Sequence, residues 1–92
     1  MSKSIMQEAL NVINNFHEEK GDFRYTLDRL EELIHGFDIP FKLKDELLDI
    51  WLILEEIYAG AADEGRISLS TSEVEIIFKT LDQLADQIMQ ID

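Results

Sequence analysis

Apolar residues recur at helical spacing through almost the whole chain, and four amphipathic segments separate cleanly. The first is expected over 4–18, where Ile5, Ala9, Val12, Ile13 and Phe16 share a face and Ser4 stands where an N-cap belongs. Lys20, Gly21 and Asp22 interrupt that pattern. The second is expected over 23–35, with Phe23, Leu27, Leu30 and Ile34 in line, Leu33 beside them and Asp22 placed to cap the start. Gly36 follows at the position where a left-handed residue closes many helices. Pro40 opens the third segment, expected over 40–63, because a first turn has no use for its missing N–H and its fixed φ suits that place. The inward stripe there is Leu43, Leu47, Ile50, Trp51, Leu54, Ile57, Tyr58 and Ala61, and Gly65 ends it.

The fourth segment, expected over 71–90, has the sharpest start. Ser70 and Glu73 have capping-box spacing, and Leu69 and Val74 bracket them as a hydrophobic staple does. Val74, Ile77, Phe78, Leu81, Leu84, Ala85 and Ile88 carry the apolar face onward. Connections of about 4–7 residues favour antiparallel neighbours. The expected fold is therefore all-α, an up-down-up-down four-helix bundle, with residues 1–92 forming a single helical domain. Only Arg66-Ile67-Ser68-Leu69 alternates as a strand would, and it is too short to stand alone.

Composition narrows the function. Twenty Asp and Glu against eight Lys and Arg give a formal net charge of -12, which opposes direct contact with nucleic acid or an anionic membrane. The chain has no cysteine, which excludes a disulfide scaffold, thiolate zinc sites and a cysteine nucleophile. No apolar run reaches the roughly 20 residues a bilayer requires, and MSKSIMQEALN does not read as a signal peptide, so the expected compartment is the cytoplasm.

Catalytic and metal patterns are weak. Glu32-Leu33-Ile34-His35 has the Glu-x-x-His spacing of di-metal bundles, but such sites need two copies plus further inward carboxylates. Residues 62–68 superficially resemble half of a calcium loop. Aligning Gly65 with the central glycine puts Gly60, Ala62 and Thr71 at positions that require oxygen-rich ligands. No nucleophile–base arrangement, P-loop or dinucleotide fingerprint is present. The chain is read as non-catalytic, with no cofactor and no metal.

The outer surface of the third helix is the informative feature. At 100° per residue, Asp45, Asp49, Glu56 and Asp63 fall in a narrow stripe opposite Leu47, Leu54 and Tyr58. Leu52 and Ile53 lie beside that stripe, away from the core, with Leu48 on the other flank. The second helix adds Tyr25, Asp28 and Glu32 on its own outward face. Acid of this kind speeds and selects encounter with a basic partner, while an apolar or aromatic anchor supplies the holding energy. Self-repulsion at this charge opposes folding, so its retention points either to use in binding or to solubility alone.

The stretch Gly21-Asp22-Phe23 leading to Leu27 and Leu30-Glu31-Glu32-Leu33-Ile34 resembles the small, acidic, all-helical immunity proteins of bacteria. So does Trp51-Leu52-Ile53-Leu54-Glu55-Glu56-Ile57-Tyr58-Ala59, running on to Asp63-Glu64-Gly65-Arg66. The resemblance covers about half the chain and rests on helical patterning. It implies a stoichiometric inhibitor that binds a cognate toxin, covering its active site or holding it inactive. Were that toxin a nuclease, carboxylates would stand where substrate phosphates sit. The chain itself is expected to be a monomer or weak dimer.

Two other classes compete. A nucleic-acid mimic would need an even phosphate-like repeat, whereas the stripe steps by about 6, 10 and 10 Å. A secretion chaperone or assembly subunit would grip a partner helix in a wide apolar groove, and the broad apolar arc of the third helix allows that.

Overall fold

The structure is a computed structural model that describes residues 2–18, 22–65 and 69–91, with the side chains of 2–4 excluded. The expected breakers Lys20 and Gly21, the side chain of Ser4 and the short alternation over Arg66, Ile67 and Ser68 lie outside the described residues.

Four helices follow in order: α1 (Ser2–His17), α2 (Phe23–His35), α3 (Phe41–Asp63) and α4 (Thr71–Met89). Each packs on the next and α4 packs back on α1, which closes a four-helix bundle with no diagonal contact among the described residues. Its long dimension is 39 Å. Among the described residues, no helix is long and apolar enough to cross a membrane.

The alternating direction of the helices shows in an aromatic cluster at one end. Phe16, at the end of α1, lies 5.4 Å from Phe23 at the start of α2 and 5.9 Å from Phe78 on α4. Phe23 in turn lies 6.0 Å from Tyr58 in the last third of α3, so that one cluster gathers all four helices. Of the expected inward residues, Ala9, Ile13, Leu27, Leu30, Ile34, Leu47, Trp51, Leu54, Ile77, Leu81, Leu84 and Ile88 are buried, others such as Leu43, Ile50, Ile57 and Phe78 are half-buried, and Phe37 joins the core unforeseen.

Local signals explain the starts of α2 and α4. The Asp22 side chain accepts from the Tyr25 N–H at 3.1 Å. Ser70 and Glu73 form a complete reciprocal capping box, at 3.2 and 2.8 Å. Three expectations need correction. Pro40, expected to open the third helix in its first turn, is its extended N-cap at ψ 146°, and α3 begins at Phe41. The first helix starts at Ser2 rather than at residue 4, so Ser4 lies inside it and is not its cap. Gly36 is right-handed, at φ -87°. Its N–H bonds to the Leu33 carbonyl at 3.0 Å, the next N–H bonds to that of Ile34, and Phe37 then turns into the core at 2% exposure. The buried ring of Phe37 directs the chain out of α2, and no left-handed residue is required. Gly65 does take up a left-handed conformation, at φ 71°.

Candidate functional site

The nine expected surface residues divide into two groups. Tyr25, Asp28 and Glu32 stand on the outward face of α2, where with Arg29 they line a shallow open depression of about 400 Å³. Asp45, Asp49, Leu52, Ile53, Glu56 and Asp63 stand on the outward face of α3, and all six are exposed. Among the described residues, no hydrogen bond or ion pair joins a member of one group directly to a member of the other.

The two groups also differ electrostatically. On α2 the carboxylates are already engaged. Asp28 accepts from Arg24 one turn before it, and Glu32 accepts from Arg29. The hydrogen bond from Arg24 holds the Asp28 carboxyl below its usual range, and the same bond pushes the Arg24 guanidinium above its own.

Both arginines reach across to neighbouring helices as well. Arg24 comes within 3.5 Å of Glu55 on α3 and lies 4.9 Å above the Tyr58 ring, while Arg29 bonds Glu8 on α1. The α2 acids therefore belong to clamps that fasten α2 to its neighbours, a role the spacing of the chain alone did not reveal.

On α3 the position is reversed. Among the described residues, Asp45, Asp49, Glu56 and Asp63 have no ion-pair partner. They are exposed and flank apolar surface: Leu52 is 46% exposed and Ile53 43%. Phe41, in the first turn of the same helix, is 80% exposed, and sequence reasoning missed it as a surface residue. Its signal was present, since Phe41 lies off the inward stripe. Tyr25, at 60%, is a comparable projection on α2. The other exposed large apolar residues, Ile76 and Met89, sit on opposite flanks of α4 and form no patch together.

No group of three or more potential metal ligands occurs among the described residues. His35, the partner of Glu32 in the Glu-x-x-His spacing, is exposed at the end of α2. His17 stacks on Phe78 at 4.9 Å and lies 3.0 Å from Asp82, joining α1 to α4.

Fold and surface together define an all-α four-helix bundle with one outward helix face that is acidic and, among the described residues, without ion-pair partners. No family model matches the chain, and no curated protein or solved structure matches it.

Proposed function

We propose that the chain is a non-catalytic, protein-binding inhibitor of the immunity type, acting in the cytoplasm without a cofactor to neutralise a basic toxin domain. One observation carries this reading: the outer face of α3 sets four carboxylates with no ion-pair partner among the described residues, Asp45, Asp49, Glu56 and Asp63, around half-exposed Leu52 and Ile53. The carboxylates attract a basic surface over a distance and reject acidic ones. Leu52 and Ile53 then bury apolar area in the complex, and that burial slows dissociation. Against a nuclease, the same carboxylates would face its basic substrate groove. A chaperone for an apolar helix would present a wider uncharged stripe, whereas here Asp45, Asp49 and Glu56 interrupt it.

Affinity capture tests the proposal. The tagged protein is used as bait in its native lysate, washed at low and high salt, and retained proteins are identified by mass spectrometry. A single basic partner held through high salt at near-equal stoichiometry, whose activity falls when the protein is added back, is the expected result. Retention of nothing, or only of apolar secretion substrates, sinks the reading.

A further inference from the structure

The exposed side chains of α3 have a periodicity of their own. Lys42, Asp49, Glu56 and Asp63 are separated by seven residues each time. Beside that row runs a second one with alternating steps of four and three: Phe41, Asp45, Leu48, Leu52, Glu55 and Ala59. The row has heptad spacing with acids at two of its six places; Phe41, Asp45, Leu52 and Ala59 are exposed, while Leu48 packs partly on the core and Glu55 is half-buried beside Arg24. Of its large apolar members, Phe41 and Leu52 are accessible, at 80% and 46% exposure. Ala59 and the neighbouring Gly60 are exposed, and a Cβ built on Gly60 would meet nothing within 4 Å, so another backbone can come close there.

We infer that the occupant of this face is a basic amphipathic helix of the partner, laid along α3 with lysine or arginine at seven-residue intervals against Asp49, Glu56 and Asp63. The inference rests on the reading that this face binds a basic protein, and it specifies the element that binds. Charge complementarity fixes the sign, because the flanking row is acidic and has no ion-pair partner among the described residues. Periodicity fixes the element. Three carboxylates seven residues apart on a helix recur at about 10.5 Å, which a second helix with cations every seven residues matches along its length. A strand presents like side chains every ~6.7 Å and falls out of step after one contact. Glu55, within the row, is already engaged by Arg24 of α2, so the incoming cations are drawn to the Asp49–Glu56–Asp63 side.

The test uses two synthetic peptides of about 21 residues and identical composition, three heptads in length. One has Leu at the seam positions and Lys on the flanks; in the other the same residues are shuffled so that no heptad remains. Each is titrated into the full chain at physiological salt, and the contact surface is mapped by backbone amide shifts. The ordered peptide is expected to bind at least about tenfold more tightly and to perturb the outward face of α3.

The triple variant Asp49→Asn, Glu56→Gln, Asp63→Asn should lose about tenfold in affinity, whereas the equally neutralised Asp38→Asn, Glu75→Gln, Asp86→Asn should lose less than about twofold. Ala59→Trp, which changes no charge, should weaken binding by blocking close approach. Equal binding of the two peptides, or equal losses in the two triple variants, overturns the inference. Capture of a basic partner together with indifference to the ordered peptide overturns the helix and leaves the inhibitor standing. Ordered-peptide binding with no captured basic partner does the reverse.

Discussion

The indole N–H of Trp51 on α3 donates to the Leu27 carbonyl of α2 at 2.9 Å, and both residues are buried. Leu27 lies in mid-helix, so its carbonyl uses its second lone pair for this bond. The bond satisfies the one polar atom of the largest side chain in the core and sets the register of the two helices that carry the candidate surface. Trp51→Phe keeps most of the apolar volume and leaves no donor unpaired. It should cost about 1 kcal/mol, or a fall in Tm of roughly 4–8 °C. Urea and thermal melts followed by circular dichroism check this, and an unchanged midpoint would show that the bond contributes nothing.

The capping box at the start of α4 is a second discrete contribution. Ser70→Ala removes the acceptor for the Glu73 N–H and should cost about 1 kcal/mol. Glu73→Ala removes the acceptor for the Ser70 N–H and should cost less, since that residue is exposed. Because the two bonds hold one turn in place together, the double variant should cost less than the sum of the singles. A double-mutant cycle measures that shortfall directly; strict additivity would mean that the two bonds act independently.

Two glycines distinguish what the chain made legible from what it did not. Gly65 and the Ser70–Glu73 box depend on residues within one turn, and spacing alone identifies them. Gly36 depends on Phe37, whose burial steers the backbone and is decided by packing from the rest of the bundle. The acidic face of α3 was legible for the same local reason, as a stripe at 100° per residue. Its unpaired state was not, and neither was the engagement of Asp28 and Glu32 by arginines that also reach Glu55 and Glu8. The i,i+4 and i,i+3 spacings of those arginines were visible, but bridges to other helices require the fold.

The same two glycines should respond oppositely to alanine. At Gly65, φ is 71°, and alanine there should cost roughly 1–2 kcal/mol. At Gly36, φ is -87°, and an added Cβ meets the Leu33 carbonyl at 3.4 Å and Ile5 Cδ1 at 3.9 Å, which is ordinary contact. Alanine there should be neutral or stabilise by up to about 1 kcal/mol through the unfolded chain. Denaturant midpoints of the two variants decide the matter, and a destabilised Gly36→Ala would contradict the right-handed geometry.

Asp28 gives a pH signature with a definite sign. Its folded pKa lies below its unfolded value, because Arg24 holds the charged form. The stabilisation is therefore complete above the unfolded value of about 3.9, and is lost as pH falls through the folded value. Asp28→Asn should thus be less stable than the parent at pH 7, with the gap closing below about pH 4. Paired urea titrations at both ends of that window test it; a gap that persists in acid would place the effect outside the ion pair.

Association kinetics should separate the two acidic faces. Asp49→Lys with Glu56→Lys reverses charge that has no ion-pair partner among the described residues, so the on-rate for a basic partner should fall about tenfold at low salt and recover as salt screens the field. Asp28→Asn with Glu32→Gln removes charge that Arg24 and Arg29 already compensate, so the on-rate should move far less, with the loss appearing in thermal stability. Leu52→Ala leaves the field untouched and removes apolar contact, so its effect belongs in the off-rate, which should rise about tenfold. Surface plasmon resonance across a salt series, with the captured partner immobilised, resolves all three variants. If the α2 pair slowed association as much as the α3 pair, binding would depend on net charge alone and the outer face of α3 would have no special part in it.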